Sequence, residues 1–256
     1  MTLVAYTREV SPTLADCELT HLEREPLDVA RAAAEHHAYE ELLSQLGATV
    51  RRLPAAPALP DAVFVEDTAI VLDEIAIITR PGAVSRRPET ASVAAALAAH
   101  RPLAQIEDPA TLDGGDVLVV GRRLYVGLST RSSRTAIEQL ATVLRPFDYE
   151  VVPVEFSGCL HLKSCVTQVG ENLLLLNPAW VDPPVFAGNR TVEVDPTEPH
   201  AGNALALGGA VIHSQHFPRT RARLEAAGLR VCPVALTELA KAEAGVTCCS
   251  LLVRGT

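Results

Sequence analysis

Five polar residues, Asp67, Asp113, His161, Asn203 and Cys248, follow one another at separations of 46, 48, 42 and 45 residues, each at the start of a short apolar, β-branched run. Four of these runs are paired: Thr68–Leu72 with Ile75–Ile78, Val117–Val120 with Leu124–Val126, Val166–Val169 with Leu173–Leu176, and Ala204–Leu207 with Ala210–Ile212. Paired runs around compact turns read as β-hairpins. Arg134–Leu144, with Ile137, Leu140, Ala141 and Leu144 on one face, and Arg219–Ala227 before Gly228 read as helices, the latter leading to a strand over Leu229–Val234. The interval Pro183–Val194 is Pro-rich and carries the weakest helix signal. A fifth hairpin exists only if Ser250–Val253 pairs with Leu3–Tyr6, ahead of a helix over Asp28–Leu46 that Gly47 stops. Self-similarity at this period implies a closed, propeller-like array whose strand starts converge on one axis. With no linker or low-complexity tract to divide it, the chain reads as a single domain over 1–256.

Composition narrows the partners. At 48% hydrophobic and 21% charged residues, with no apolar run near the roughly 18 residues a bilayer span needs, a membrane protein is not expected. The opening Met1–Tyr6 lacks the basic start and long apolar middle of a secretory signal, so the expected compartment is the cytoplasm. A net charge of -9 without a basic run makes nucleic acid a poor partner. The six cysteines, at 17, 159, 165, 232, 248 and 249, form no C-x-x-C pair, so a structural zinc site is not expected. Each is by default a reduced, small hydrophobe. His213 and His216 read as surface or capping groups.

If the strand starts converge, two carboxylates, an imidazole, an amide and a thiol line one cavity. Any one Asp or Asn is an ordinary strand-entry residue; five with complementary chemistry make a site. A thiol with an imidazole points to nucleophilic catalysis. Carboxylates beside a thiolate would hold a planar guanidinium through paired, charge-assisted hydrogen bonds. The cation would in turn favour the thiolate, so the substrate itself would activate the nucleophile.

The segments Phe64-Val65-Glu66-Asp67, Leu112-Asp113-Gly114-Gly115-Asp116, Leu160-His161-Leu162-Lys163-Ser164 and Thr247-Cys248-Cys249-Ser250 occur in this order, with Asp28-Val29-Ala30-Arg31 and Ile78-Thr79-Arg80-Pro81-Gly82-Ala83 besides. Through them the chain closely resembles the dimethylarginine dimethylaminohydrolases, over nearly its whole length. The resemblance implies a five-bladed α/β propeller of pseudo-five-fold ββαβ repeats, closed by pairing of the terminal strands. It also implies hydrolysis of Nω-methylated L-arginine to L-citrulline and a methylamine, through a covalent thiouronium on Cys and with no cofactor or metal. Carried over, Cys248 is the nucleophile, His161 the general acid and base, and Asp113 the carboxylate that orients histidine and guanidinium. Glu66 and Asp67 complete the guanidinium clamp, Arg86 and Arg131 take the α-carboxylate, and Asp61 the ammonium group. Leu19, in an N-terminal lid, and the Ala242 carbonyl fall at contact positions. The expected partner is a small methylated arginine, and a homodimer is left open.

Cys248 and Cys249 as neighbours on a strand would face opposite sides, only one of them the cavity. With His161 they also offer the donor types that zinc prefers, as an inhibitory site rather than a cofactor site. An arginine deiminase would use the same groups with less room at the terminal nitrogen, and an amidinotransferase would replace water by an amine. A non-catalytic arginine-binding module would not need Cys248 and His161.

Overall fold

The computed structural model describes residues 2–255. Its chain runs β1 (Leu3–Thr7), α1 (Val29–Gln45), β2 (Thr49–Arg52), β3 (Ala69–Val71), β4 (Ala76–Ile78), α2 (Thr90–Leu97), β5 (Leu103–Gln105), β6 (Val117–Val120), β7 (Arg123–Leu128), α3 (Arg134–Leu144) and β8 (Glu150–Glu155). It continues α4 (Leu162–Cys165), β9 (Val166–Gly170), β10 (Leu173–Leu176), β11 (Arg190–Glu193), β12 (Ala204–Leu207), β13 (Ala210–Ser214), α5 (Pro218–Ala226), β14 (Val231–Val234), α6 (Thr237–Ala240) and β15 (Leu251–Arg254). The described strands form five three-stranded sheets, β15-β1-β2, β3-β4-β5, β6-β7-β8, β9-β10-β11 and β12-β13-β14. In each, the first two strands are antiparallel and the second and third parallel. A parallel pair requires a crossover, and a helix supplies it in four blades. In the fourth blade the Pro-rich segment forms only a 3-10 turn, Pro183–Phe186.

The closing blade pairs Leu3 with Arg254 and Tyr6 with Leu251. Helix α1 starts where Asp28 accepts a hydrogen bond from the Arg31 N–H, and it stops before Gly47, whose φ of +96° suits glycine. Helix α3 is capped in the same way by Ser133, which accepts from Ala136 N, and buries Ile137, Leu140 and Leu144.

Alternation along the strands gives every blade two apolar faces. Ile70 and Ile77 meet Val117, Leu124 and Leu140 of the next blade, while Ala76 and Ile78 meet Val4, Tyr6 and Val253 of the preceding one. The same holds around the ring, through Tyr125 with Leu174 and Phe186, Leu175 with Val211 and Leu224, and Ile212 with Tyr39 and Leu43. Five cores thus sit between blades rather than inside any one of them. At roughly 1.5–3 kcal/mol for each fully buried Leu or Ile, a blade separated from its neighbours would lose most of its support.

The repeat differs from the sequence reading in one respect. Asp67 lies within a 3-10 turn, Val65–Thr68, ahead of β3. Asp113 precedes another, Gly114–Asp116, and His161 precedes the single turn α4. Cys248 also sits in a turn, three residues before β15, and not on a strand. Four of the five polar residues therefore stand on or beside turns, at unequal offsets from their strands, because a turn of helix reorients side chains that an extended strand would alternate, whereas Asn203 directly precedes β12. His213 differs too: it lies in β13, fully buried, with Nε2 2.9 Å from the Ala201 carbonyl oxygen.

Candidate active site

The first strands of the five blades surround a cavity of about 610 Å³ on one side of the axis. Its floor carries the Lys163–Glu66 ion pair, at 2.6 Å, and Thr247. The chemistry gathers elsewhere, in a tight pocket lined by Asp61, Asp67, Arg86, Arg131, His161, Ala242 and Cys248, together with Glu18, Phe64, Leu160, Glu243 and Ala244. The larger cavity holds neither the thiol nor the imidazole, so the small pocket is the candidate site.

His161 stands between two carboxylates. Its Nε2 is 3.1 Å from Asp113 Oδ2 and its Nδ1 3.8 Å from Asp67 Oδ1. Burial works against the imidazolium, but Asp67, the Asp113 hydrogen bond and Asp116 prevail and push the group up to about 9. At neutral pH it is charged. Asp67 is drawn down to about 2: burial opposes its ionisation, and His161, Arg86 and the Gly115 N–H at 2.9 Å outweigh it. Asp116 accepts from Leu162 N at 3.0 Å and Ser129 Oγ at 2.6 Å, which fixes the turn that carries His161. Asp113 is anchored by the Gly82 N–H at 2.9 Å.

Cys248 faces this pocket, its sulfur accepting from Gly245 N at 3.3 Å. Burial, then Glu66 and Asp67, push its thiol up to about 12. Cys249 points the other way, into the core with Tyr39. The two thiols are divided as expected, but by the geometry of a turn. Zinc ligation by both cysteines with His161 is thereby excluded. Asp67, Asp113 and His161 bring donor atoms within 4.8 Å of one another, yet the carboxylates already hold protein donors and an imidazolium has no lone pair to offer.

Seven of the ten expected site residues line the pocket. Asp113 reaches it through His161. Leu19, in the N-terminal segment, packs on the core and does not line the pocket. Glu66 is committed to Lys163 Nζ at 2.6 Å and Thr247 Oγ1 at 2.7 Å, on the axial side. Arg86 is buried, its Nη1 donating to Asp67 Oδ2 at 2.5 Å, Nη2 to Glu89 Oε2 and Phe64 O at 2.9 Å, and Nε to Glu89 Oε1 at 3.2 Å. Arg131 reaches Asp113 at 3.7 Å and Thr20 Oγ1 at 3.1 Å. Asp61 accepts from the Glu18 N–H at 3.2–3.3 Å, and burial raises its carboxyl despite Arg86.

Asn203 does not line the pocket. Its amide donates to Lys163 O and Thr247 Oγ1, both at 2.9 Å, and accepts from Thr247 N at 3.1 Å. It braces the turns that carry His161 and Cys248 against each other. Glu18 and Glu243 were missed by sequence reasoning, since each sits in a loop with no periodicity to mark its direction.

Cysteine and imidazolium in an acidic pocket at one end of a propeller axis define a guanidino-modifying enzyme on a five-bladed α/β propeller. The profile of the family described as N,N dimethylarginine dimethylhydrolase, eukaryotic, matches residues 20–183. The N(G),N(G)-dimethylarginine dimethylaminohydrolase of Streptomyces coelicolor is 37% identical over 98% of this chain and 96% of its own length. That of Pseudomonas aeruginosa is 34% identical over 88% of this chain and 89% of its own. The Pseudomonas aeruginosa enzyme, solved as a cysteine-to-serine variant complexed with citrulline, superposes with a TM-score of 0.93 at 31% identity, covering 99% of this chain and all of that one. The N-terminal domain of ArgZ, a cyanobacterial arginine dihydrolase, shares the fold at a TM-score of 0.89 and 20% identity, covering 100% of this chain and 98% of that one. The chain belongs to the dimethylarginine dimethylaminohydrolase family.

Proposed function

We propose that this chain, as one catalytic domain over 1–256, hydrolyses Nω-methylated L-arginine to L-citrulline and a methylamine. The observation that carries the reading is a thiol, Cys248, and a charged imidazole, His161, facing one pocket with the carboxylates of Asp61 and Asp67.

In the free enzyme the thiol holds its proton and His161 is the acid. Guanidinium beside Asp67 offsets the anions that keep Cys248 protonated, and the thiol gives its proton to water, since His161 already carries one, leaving the thiolate. Its sulfur attacks the guanidinium carbon. The methylated nitrogen takes the His161 proton, its bond to carbon breaks, and methylamine leaves a thiouronium on Cys248. His161, now neutral, removes a proton from water; hydroxide adds to the same carbon, the C–S bond breaks as the new hydroxyl's proton passes to the departing sulfur, and the ureido group of citrulline leaves the thiol restored. Asp113 orients the imidazole throughout. Glu66 acts from behind the pocket, its charge held by Lys163.

Asp61 suits the substrate's ammonium and Arg131 its carboxylate, with the second N–H of Arg86 Nη1 alongside. Every group comes from one chain, so no second copy is required. The charge of -9 favours a small cation over nucleic acid. All six cysteines are free, as suits the cytoplasm, and no helix among the described residues is long and apolar enough to cross a membrane.

The test is incubation of purified protein with asymmetric dimethylarginine, monomethylarginine and arginine, with citrulline and the released amine quantified. Citrulline with dimethylamine is expected from the dimethylated substrate. Turnover of arginine alone would make the enzyme a deiminase, and absence of citrulline from all three would overturn the reading.

A further inference from the structure

We infer that Glu243 is the latch of the N-terminal segment that covers the pocket, a positioning residue that keeps substrate in place without touching the reacting atoms; the inference rests on the catalytic reading above. The Glu243 carboxylate receives three successive backbone N–H groups, from Thr20 at 3.1–3.2 Å, His21 at 2.5 Å and Leu22 at 2.6 Å. Consecutive amides curled around one anion form a concave, charge-assisted site. The backbone is shaped for it: Glu243 has a φ of +59°, a region that non-glycine residues occupy only when their surroundings hold them there. It directly follows Ala242, which lines the pocket.

Three pocket-lining side chains hold the segment, and they are not equivalent. Asp61 accepts from Glu18 N and Arg131 donates to Thr20 Oγ1, but these are the groups that the substrate's ammonium and carboxylate claim. Glu243 has no such competitor, so it can hold the segment while the pocket is full. In the closed state the pocket leaves about 20 Å³, room for about one water. The segment therefore lifts for each substrate and each product, and the latch sets how long a bound molecule stays.

Two variants separate the latch from general stability. Glu243→Gly removes the carboxylate while suiting the left-handed backbone, and Glu243→Gln keeps size and an acceptor but not the charge. Hydrogen exchange read by mass spectrometry should show the Thr20–Leu22 amides exchanging about 10-fold faster in Glu243→Gly, with the blade strands unchanged. With dimethylarginine, KM should rise about 10-fold in Glu243→Gly and less in Glu243→Gln, with kcat within about threefold of the parent. Equal exchange at Thr20–Leu22 in parent and Glu243→Gly, or a loss confined to kcat, would overturn the latch. If the parent makes no citrulline, the catalytic reading fails and the exchange comparison still decides the latch.

Discussion

Adjacent cysteines with different surroundings make a controlled comparison. Cys248→Ser should lose about 10³-fold or more in kcat, because a serine hydroxyl in this acidic pocket has no base strong enough to ionise it. Cys249→Ser should keep turnover but lose about 1–3 kcal/mol of stability, since it puts a hydroxyl into the apolar core around Tyr39. Citrulline assays and urea denaturation of both variants check this; an active Cys248→Ser beside a dead Cys249→Ser would reverse the assignment. The charge on His161 has two consequences of the same sign. As the proposed acid, it should make kcat at saturating substrate, where the thiolate has already formed, fall as pH rises through about 9. Because its folded value lies above the ordinary histidine range near 6.5, its contribution to stability is complete below that range and is lost as pH rises through about 9. Cys248, pushed up to about 12, acts in the same direction at higher pH. A pH–rate profile flat from 7 to beyond 10 would mean that His161 does not supply the proton.

The turns that precede each hairpin are the elements on which the site depends. A Cβ on Gly114 would lie 2.1 Å from the Glu66 carbonyl oxygen, and one on Gly115 2.6 Å from His161 Nδ1, so this pair lets two turns of the candidate site approach. Asn203 joins two others, and Asn203→Ala should lower kcat about 10–100-fold with little change in KM, because a displacement near 1 Å at the reacting groups is that costly. A variant with reduced stability but unchanged kcat would show that the brace serves folding alone. Such elements mark the boundary of what could be read from sequence. The hairpins were legible because alternation and compact turns are local, α3 because Ile137, Leu140 and Leu144 recur on one face, and α1 because Gly47 stops it. The turns carrying Asp67, Asp113 and Cys248 were read as strand starts, since three or four residues carry no period of their own. Hence the chemistry of the site was legible from residue types, whereas the direction of Glu66 and the several partners of Arg86 depend on which way a turn points and what lies across it.

At the scale of the molecule, each blade depends on both neighbours, and the joint between the first and last strands holds the ring. This closure was legible because one hairpin lacked a partner. Val253, buried between the closing blade and Ala76, Ile78 and Leu97 of the next, is a sensitive point in it. Val253→Asp places an unpaired charge there and should cost about 4 kcal/mol or more. Urea denaturation should show one earlier transition for the whole molecule; stepwise loss of a single blade would argue against shared cores. The closing joint also imposes an order on synthesis. At roughly 5–20 residues per second, the blades from β3 to β14 emerge from the ribosome and can stack while β1 still waits for β15. Cys248 emerges only three residues before β15 begins. A nascent chain therefore gains Cys248, the proposed nucleophile, and its ring within about a second of each other, and a product cut short before that point has neither.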